Sequence, residues 1–390
     1  MTRLRVLIVT NLFPSNVEPG YAPFNRQQFS MLGKKADVEV IHPVPWRIAP
    51  GSASGQLVDH EVIDSLDVYH VRYPTIPGLP SLNASALAGV LLPRLMKRKK
   101  DFDVILGSYA YPDGCAAVLL GKTLGLPVVV KCHGSDLNRV PGDRAARLQL
   151  EQLLPRATKV VCVSERLVRA AEALGVPREK IAVVYNGVDR RRFPVMDRVE
   201  ARRRLGLPTD NEMVVYVGHL AEHKGTLDLL AAIPKLADLR PGVTVAFVGD
   251  GPLMKEVTAL AEHGNPARGM AMAVGRVRHD EVPQWMAAAD VFCLPSWDEG
   301  MPNVVREAHA VGRRVVATRV GGLPEAVHRE ELGRLVPAKD PAALAQALSA
   351  ELAVARSLSP EEISRIAVVP SWEESADALL AALESAVHQR

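Results

Sequence analysis

Apolar residues along this chain fall into short unbroken runs, each followed by a longer stretch in which they recur every three or four positions. Runs of the first kind read as strands buried on both faces, and spacing of the second kind reads as helices with one buried stripe. In the first half the strand-like runs are Arg5–Thr10, Val38–Pro43, Val104–Gly107, Val128–Cys132, Val160–Val163 and Ala182–Tyr185. A second series follows at Met213–Val217, Thr244–Val248, Ala271–Gly275, Val291–Leu294, Val315–Thr318 and Arg334–Val336. Strand and helix alternating in this way predict two doubly wound α/β domains, each a parallel sheet covered on both faces. Helices are expected at Phe24–Leu32, Leu82–Arg98 and Trp372–His388. Between residues 45 and 80 the pattern is irregular, with only Val68–Arg72 extended and six prolines from Pro43 to Pro80. The charged, turn-rich passage Arg190–Pro208 is expected to be a linker. It divides the chain into domains at 1–190 and 191–370, with a terminal helix at 371–390.

Composition narrows the class. At 390 residues the chain is long enough for two domains with sizeable cores. A net charge of only +3 argues against a nucleic-acid footprint. Four cysteines, Cys115, Cys132, Cys162 and Cys293, are scattered without a C-x-x-C pair, and three sit in strand-like runs. They read as small core residues in a reducing cytoplasm, and no metal site is expected. Met1-Thr2-Arg3-Leu4 runs straight into a strand, so no signal peptide is expected, and no run of 18 apolar residues spans a membrane.

The chemistry concentrates in Asp290–Glu325. There the strand Val291–Leu294 meets a polar turn, Ser296-Trp297-Asp298-Glu299-Gly300, with Pro302 expected at the first helical position. Val304, Val305, Ala308 and Val311 continue at helical spacing, so Glu299 lies in the turn and Glu307 inside the helix. Backbone N–H groups around Gly300, Met301, Asn303 and Val304 would face an anion at the helix start. Two carboxylates beside such a helix end suit a ligand combining phosphate with hydroxyls, as a nucleotide sugar does. The turn after Met213–Val217 carries Gly218, His219, Lys224 and Gly225, placing a cation opposite Glu299. A cation fixed near a departing diphosphate lowers its barrier electrostatically. Open α/β sheets bind ligands outside the carboxyl ends of their strands, so two such domains facing each other are expected to share a crevice there. No G-x-G-x-x-G follows Arg5–Thr10, which disfavours a dehydrogenase.

Ser296-x-x-Glu299-Gly300-x-Pro302-x-x-x-x-Glu307-Ala308 resembles the E-x7-E signature of retaining glycosyltransferases of family 4. The resemblance spans nearly the whole chain and is specific from about Asn186 to Glu325. It implies a GT-B fold, with an acceptor-binding first domain, a donor-binding second domain and a last helix crossing back onto the first. It also implies that Glu299 holds sugar hydroxyls and Glu307 the donor ribose. The segment Gly218 to Gly225 resembles the family's G-R-x5-K-G motif, except that His219 stands where arginine is usual. Arginine is permanently charged, whereas histidine is charged only when its pKa allows. Gly249-Asp250-Gly251-Pro252 is similar to the family's G-x-G-P beside the nucleotide, and Arg276 and Val277 match the position that meets the base. In the first domain His133 matches a family histidine that reaches the donor sugar, and Asp136 reads as a cap for the next helix. The first loop of the family approaches the acceptor. Gly20 is the only glycine in Asn11–Pro23, where the family has a Gly-Gly pair, and Arg26 and Gln27 are placed at the same mouth.

The expectation is a cytoplasmic, metal-independent retaining glycosyltransferase using a UDP- or GDP-sugar as co-substrate and no cofactor. Its acceptor would be a carbohydrate, lipid-linked or small molecule, in polysaccharide or glycoconjugate biosynthesis. Lys97-Arg98-Lys99-Lys100 at a helix end could dock on anionic lipid, or simply be a solvated terminus. Two other classes stay open: an NDP-sugar epimerase or hydrolase of similar fold, and a non-catalytic nucleotide-sugar-binding protein. No nucleic-acid partner is expected.

Overall fold

The computed structural model describes residues 3–46, 57–75, 82–138, 143–263 and 270–389. The chain divides into two compact units, one of residues 1–187 with 370–390 and the other of residues 188–369. In the first, the strands are β1 (Arg5–Val9), β2 (Asp37–Pro45), β3 (His60–Ile63), β4 (Leu66–Tyr73), β5 (Val104–Ser108), β6 (Val128–Cys132), β7 (Lys159–Cys162) and β8 (Ile181–Val183). They form one sheet in the order β3-β4-β2-β1-β5-β6-β7-β8. All neighbours run parallel except β3, which pairs antiparallel with β4. The irregular stretch expected at 45–80 therefore contains a hairpin; residues 47–56 and 76–80 of it lie outside the described residues. The extended Val68–Arg72 is the middle of β4, whereas β3 was obscured because it is only four residues long and opens on the polar His60 and Glu61.

Helix Trp372–His388 belongs to this first unit. Its Ala376, Leu379, Leu383 and Ala386 are buried in the same core as Val6, Ile8, Phe29 and Leu106. Gln28 Nε2 donates to Ser375 Oγ at 2.7 Å, and Lys35 pairs with Asp377.

The second unit holds β9 (Met213–Val217), β10 (Thr244–Val248), β11 (Met270–Gly275), β12 (Val291–Leu294), β13 (Arg314–Thr318) and β14 (Gly333–Val336). All run parallel in the order β11-β10-β9-β12-β13-β14. The order reverses between β9 and β12, which is the topological switch point where loops leaving two adjacent strands diverge. The corresponding reversal in the first unit lies between β1 and β5.

Residues 190–208, expected to be a linker, instead contain helix Arg198–Arg204 packed within the second unit. Arg202 there is fully buried: its Nε donates to the Ala288 carbonyl at 2.8 Å and its NH2 to Asp290 Oδ2 at 2.7 Å. Asp290 also meets Arg198 and Arg356. A run of arginines reads as solvated, and the Asp290 carboxylate together with the Ala288 and Asn211 carbonyls makes this burial tolerable. All four cysteines are buried free thiols. Among the described residues no helix is long and apolar enough to cross a membrane.

Candidate active site

At the switch point of the second unit, β9 runs into a loop ending in the turn Glu222–Lys224, and β12 runs into the turn carrying Glu299. The two strands are neighbours in the sheet, with Val291 opposite Val214. Their loops consequently bring Lys224 Nζ to 2.7 Å from Glu299 Oε1. Both side chains are largely buried, Lys224 28% and Glu299 12% exposed.

The backbone around this pair is closely fitted. Gly225 has φ 70°, and a Cβ there would lie 1.9 Å from the Pro295 carbonyl oxygen. Gly321, with φ 56°, sits just as tightly against the carbonyl of Glu299, 1.8 Å from a Cβ position. Only glycine satisfies both the positive φ and the approach. Between these contacts the Trp297 amide donates to the His223 carbonyl at 2.9 Å, and its indole Nε1 donates to Asp228 Oδ2 at 2.6 Å. The Lys339 ammonium lies 4.1 Å above the indole ring, at cation–π distance. Thr318 Oγ1 donates to the Ser296 carbonyl, and the Gly322 amide to that of Gly300 at 2.8 Å. The turn bearing Glu299 is thus tied to the loops after β9 and β13.

Helix Asn303–Ala310 follows. Pro302 is its N-cap, with φ −73° and ψ 116°, one residue before the first helical position expected for it. A proline N-cap brings no side-chain acceptor to the N–H groups of the first turn, so that end keeps its attraction for an anion. Met301 is buried, while Gly300, Asn303 and Val304 are partly exposed. Glu307 is half-buried within the helix, and burial pushes its carboxyl up to about 7, with Arg192 pulling the other way. Arg192 was not found as a site residue because it falls in the supposed linker. Its NH2 donates to the His279 carbonyl, and its electrostatic partners include Glu307.

Beside these elements a cavity of about 600 Å³ opens at the carboxyl ends of β9, β10 and β11. Gly218, His219, Gly249, Arg276 and Val277 all line it, with Val282 closing one wall. The volume is that of an ordinary small-molecule site. His219 is exposed, and its carbonyl accepts from Tyr216 Oη at 2.9 Å.

In the first unit His133 follows β6 and is half-buried, its Nε2 2.9 Å from Ser108 Oγ. Asp136 is buried inside the short helix after it, not at the N-cap. It accepts from the amides of Gly134 at 2.7 Å, Ala110 at 2.8 Å and His133 at 3.0 Å, clasping the loop. Burial raises its carboxyl and leaves that of Asp113, on the neighbouring loop, well above the usual range. Gly20 is an exposed turn residue, and a Cβ added there would meet no other atom within 4 Å. Arg26 is committed to a two-pronged pair with Asp64, at 2.8 and 2.9 Å, which fastens helix Pro23–Gly33 to the β3–β4 turn. In the Lys97–Lys100 run, Arg98 is held by Glu39 and Asp101, while Lys97, Lys99 and Lys100 are exposed.

Residues 211–353 match the family model "Glycosyl transferases group 1", and residues 35–192 match "Glycosyltransferase Family 4". The putative teichuronic acid biosynthesis glycosyltransferase TuaC of Bacillus subtilis is 31% identical over 359 residues, covering 89% of this chain and 88% of its own. A D-inositol 3-phosphate glycosyltransferase of Geodermatophilus obscurus is 35% identical over 355 residues, 84% of this chain and 78% of its own. Among solved structures, Anabaena HepE in complex with UDP superposes with a TM-score of 0.71 at 21% identity, covering 98% of this chain and 100% of that one. The catalytic domain of Arabidopsis thaliana starch synthase IV, bound to ADP and acarbose, also reaches 0.71, at 15% identity over 100% of both chains.

Proposed function

This chain belongs to glycosyltransferase family 4, and from that premise we propose that it transfers a sugar from a nucleoside-diphosphate donor with retention of configuration. Its GT-B-type architecture and glycosyltransferase class follow from the matches above. The observation that carries the finer reading is the contact between Lys224 and Glu299 at the β9/β12 switch point, beside the start of helix Asn303–Ala310.

In this reading the donor diphosphate lies on the first-turn amides of that helix, where backbone donors and the helix dipole favour negative charge. Lys224 meets the charge that builds on the leaving group, with His219 as a second neighbour. Glu299 accepts from sugar hydroxyls and Glu307 from the ribose, while the cavity lined by Gly249, Arg276 and Val277 takes the base. UDP and ADP in the neighbouring structures support a nucleotide as the ligand's leaving part. By the resemblance His133 is read as reaching the donor sugar, and the loop Asn11–Pro23 as serving the acceptor, a carbohydrate or lipid-linked molecule. Departing phosphate would take the acceptor proton on the same face, which requires neither a protein general base nor a metal. The exposed Lys97, Lys99 and Lys100 suit peripheral contact with anionic lipid on the cytoplasmic side.

Thermal unfolding with UDP-, GDP- and ADP-sugars tests the donor, because a ligand held by the folded state raises stability by about 2.7 kcal/mol at one hundred times its Kd. One class should raise Tm by several degrees; no shift with any of them would remove the reading. Glu299→Gln separates sugar from nucleotide. It should lower turnover about tenfold, the scale of one charge-assisted hydrogen bond, while free nucleotide diphosphate still binds. Isomerised or hydrolysed donor in the absence of acceptor would instead favour the epimerase or hydrolase class.

A further inference from the structure

Behind His133 the first unit buries a row of polar side chains that sugar transfer, as described, leaves without a task. Lys131, towards the end of β6, is fully buried, and among the described residues its hydrogen-bond partners are two side-chain amides rather than a carboxylate. Its Nζ donates to Gln28 Oε1 at 2.5 Å and to Asn25 Oδ1 at 3.3 Å. The Asn25 amide is oriented from both sides: its oxygen faces this donor, and its Nδ2 donates to the Leu12 carbonyl at 2.9 Å. The same Nδ2 lies 3.3 Å from Ser108 Oγ, and can only donate to it. Ser108 therefore spends a lone pair on Asn25 and keeps its own proton to give. The partner within reach is His133 Nε2 at 2.9 Å. On the other side, Gln28 Nε2 donates to Ser375 Oγ at 2.7 Å and Ser375 Oγ to the Tyr185 carbonyl at 2.6 Å, so the donor direction is consistent from end to end.

We propose that Lys131, Asn25 and Ser108 are positioning residues that hold His133 in its Nδ1–H tautomer, so that its free nitrogen presents a hydrogen-bond donor to the sugar being transferred. A ring free to exchange tautomers would present a lone pair there part of the time, opposing a substrate oxygen. Burial and the neighbouring Lys131 hold the His133 imidazole well below its ordinary pKa, so the ring is neutral and its tautomer is a real choice. Burial draws Lys131 down to about 7, but an amine retains two N–H groups, enough for both amide oxygens. The ring plane is steadied by Phe24, whose centroid is 5.2 Å away.

The consequence for turnover rests on the transfer reaction proposed above; the tautomer itself does not. The test is a two-bond proton–nitrogen correlation spectrum of the full chain labelled with ¹⁵N-histidine at pH 7.5, with His133→Gln identifying the His133 signals. The wild type should show a protonated Nδ1 and a bare Nε2. Ser108→Ala removes the donor to Nε2, and should move the population toward Nε2–H and lower kcat about tenfold, with donor KM little changed. Asn25→Asp is nearly isosteric and sets a carboxylate against Lys131. By turning a donor into an acceptor it should draw the Ser108 proton away and leave His133 as Nε2–H. A wild-type ring protonated on Nε2, or a Ser108→Ala ring still locked as Nδ1–H, overturns the proposal. A locked Nδ1–H ring in a chain that transfers no sugar would uphold the network and remove only the transfer reading.

Discussion

Lys224→Ala is expected to lower kcat/KM about 100-fold, carried mostly by kcat, the scale reported for losing one electrostatic contact to a transition state. Two effects add in the same direction. The cation opposing charge on the departing phosphate disappears, and Glu299, only 12% exposed, loses its partner at 2.7 Å. An unpaired carboxylate beside a diphosphate repels it, so ground-state binding should weaken as well. The change should leave the fold intact, because the neighbouring turn is fastened by Trp297 and the Pro295 contact independently of the lysine. Steady-state kinetics alongside a melting curve would decide the matter. A variant with unchanged Tm and kcat within about threefold of wild type would mean that the pair is structural and that leaving-group charge is met elsewhere.

Glu307→Gln should weaken donor binding roughly 10- to 100-fold at pH 8, the span of a charge-assisted hydrogen bond, and should also change its pH dependence. Burial raises the Glu307 carboxyl to about 7. Wild-type donor affinity should therefore fall as the pH drops below 7, by about tenfold between pH 8 and 6, as the carboxylate takes up a proton. The glutamine variant should show no such slope. Stability moves the opposite way. A carboxyl whose folded pKa is raised contributes its full stability below the unfolded value near 4.5 and loses it as the pH rises through about 7. Glu307→Gln lacks that loss, so its Tm relative to wild type should climb from pH 5 to pH 8. Parallel slopes for donor affinity in the two proteins would release Glu307 from the ribose. The combination of a weaker binder and a more stable fold at pH 8 is the expected sign of a group kept for function at a cost to folding.

Much of this architecture was readable residue by residue. The limits of β6, β9, β10 and β12 coincide with the apolar runs that announced them, and helix Trp372–His388 begins and ends where its spacing placed it. Other features were not legible, for a common reason. Arg202 and Lys131 look like surface residues in a string of letters, yet both are fully buried. Their burial is tolerable because Asp290 and the Ala288 carbonyl meet the one, and Asn25 and Gln28 meet the other. Those partners are distant in sequence. Within the β3–β4 hairpin it was β3 that was hidden, because this edge strand is short and polar, so no apolar run marks it. Arg26, placed at the acceptor mouth, is instead held by Asp64, a pairing that needs the hairpin to exist.

The sequence by itself determined which apolar segments are buried strands, because a residue's fate on a doubly covered sheet is set by its own apolarity and that of its immediate neighbours. It also placed Lys224 and Glu299 at the ends of two such strands. Only the tertiary structure decided that those strands lie side by side, with the two side chains 75 positions apart in the chain and 2.7 Å apart in space. Strand order is fixed by how helices cross and pack over the sheet, which sums contacts from the whole unit. No local spacing contains that sum.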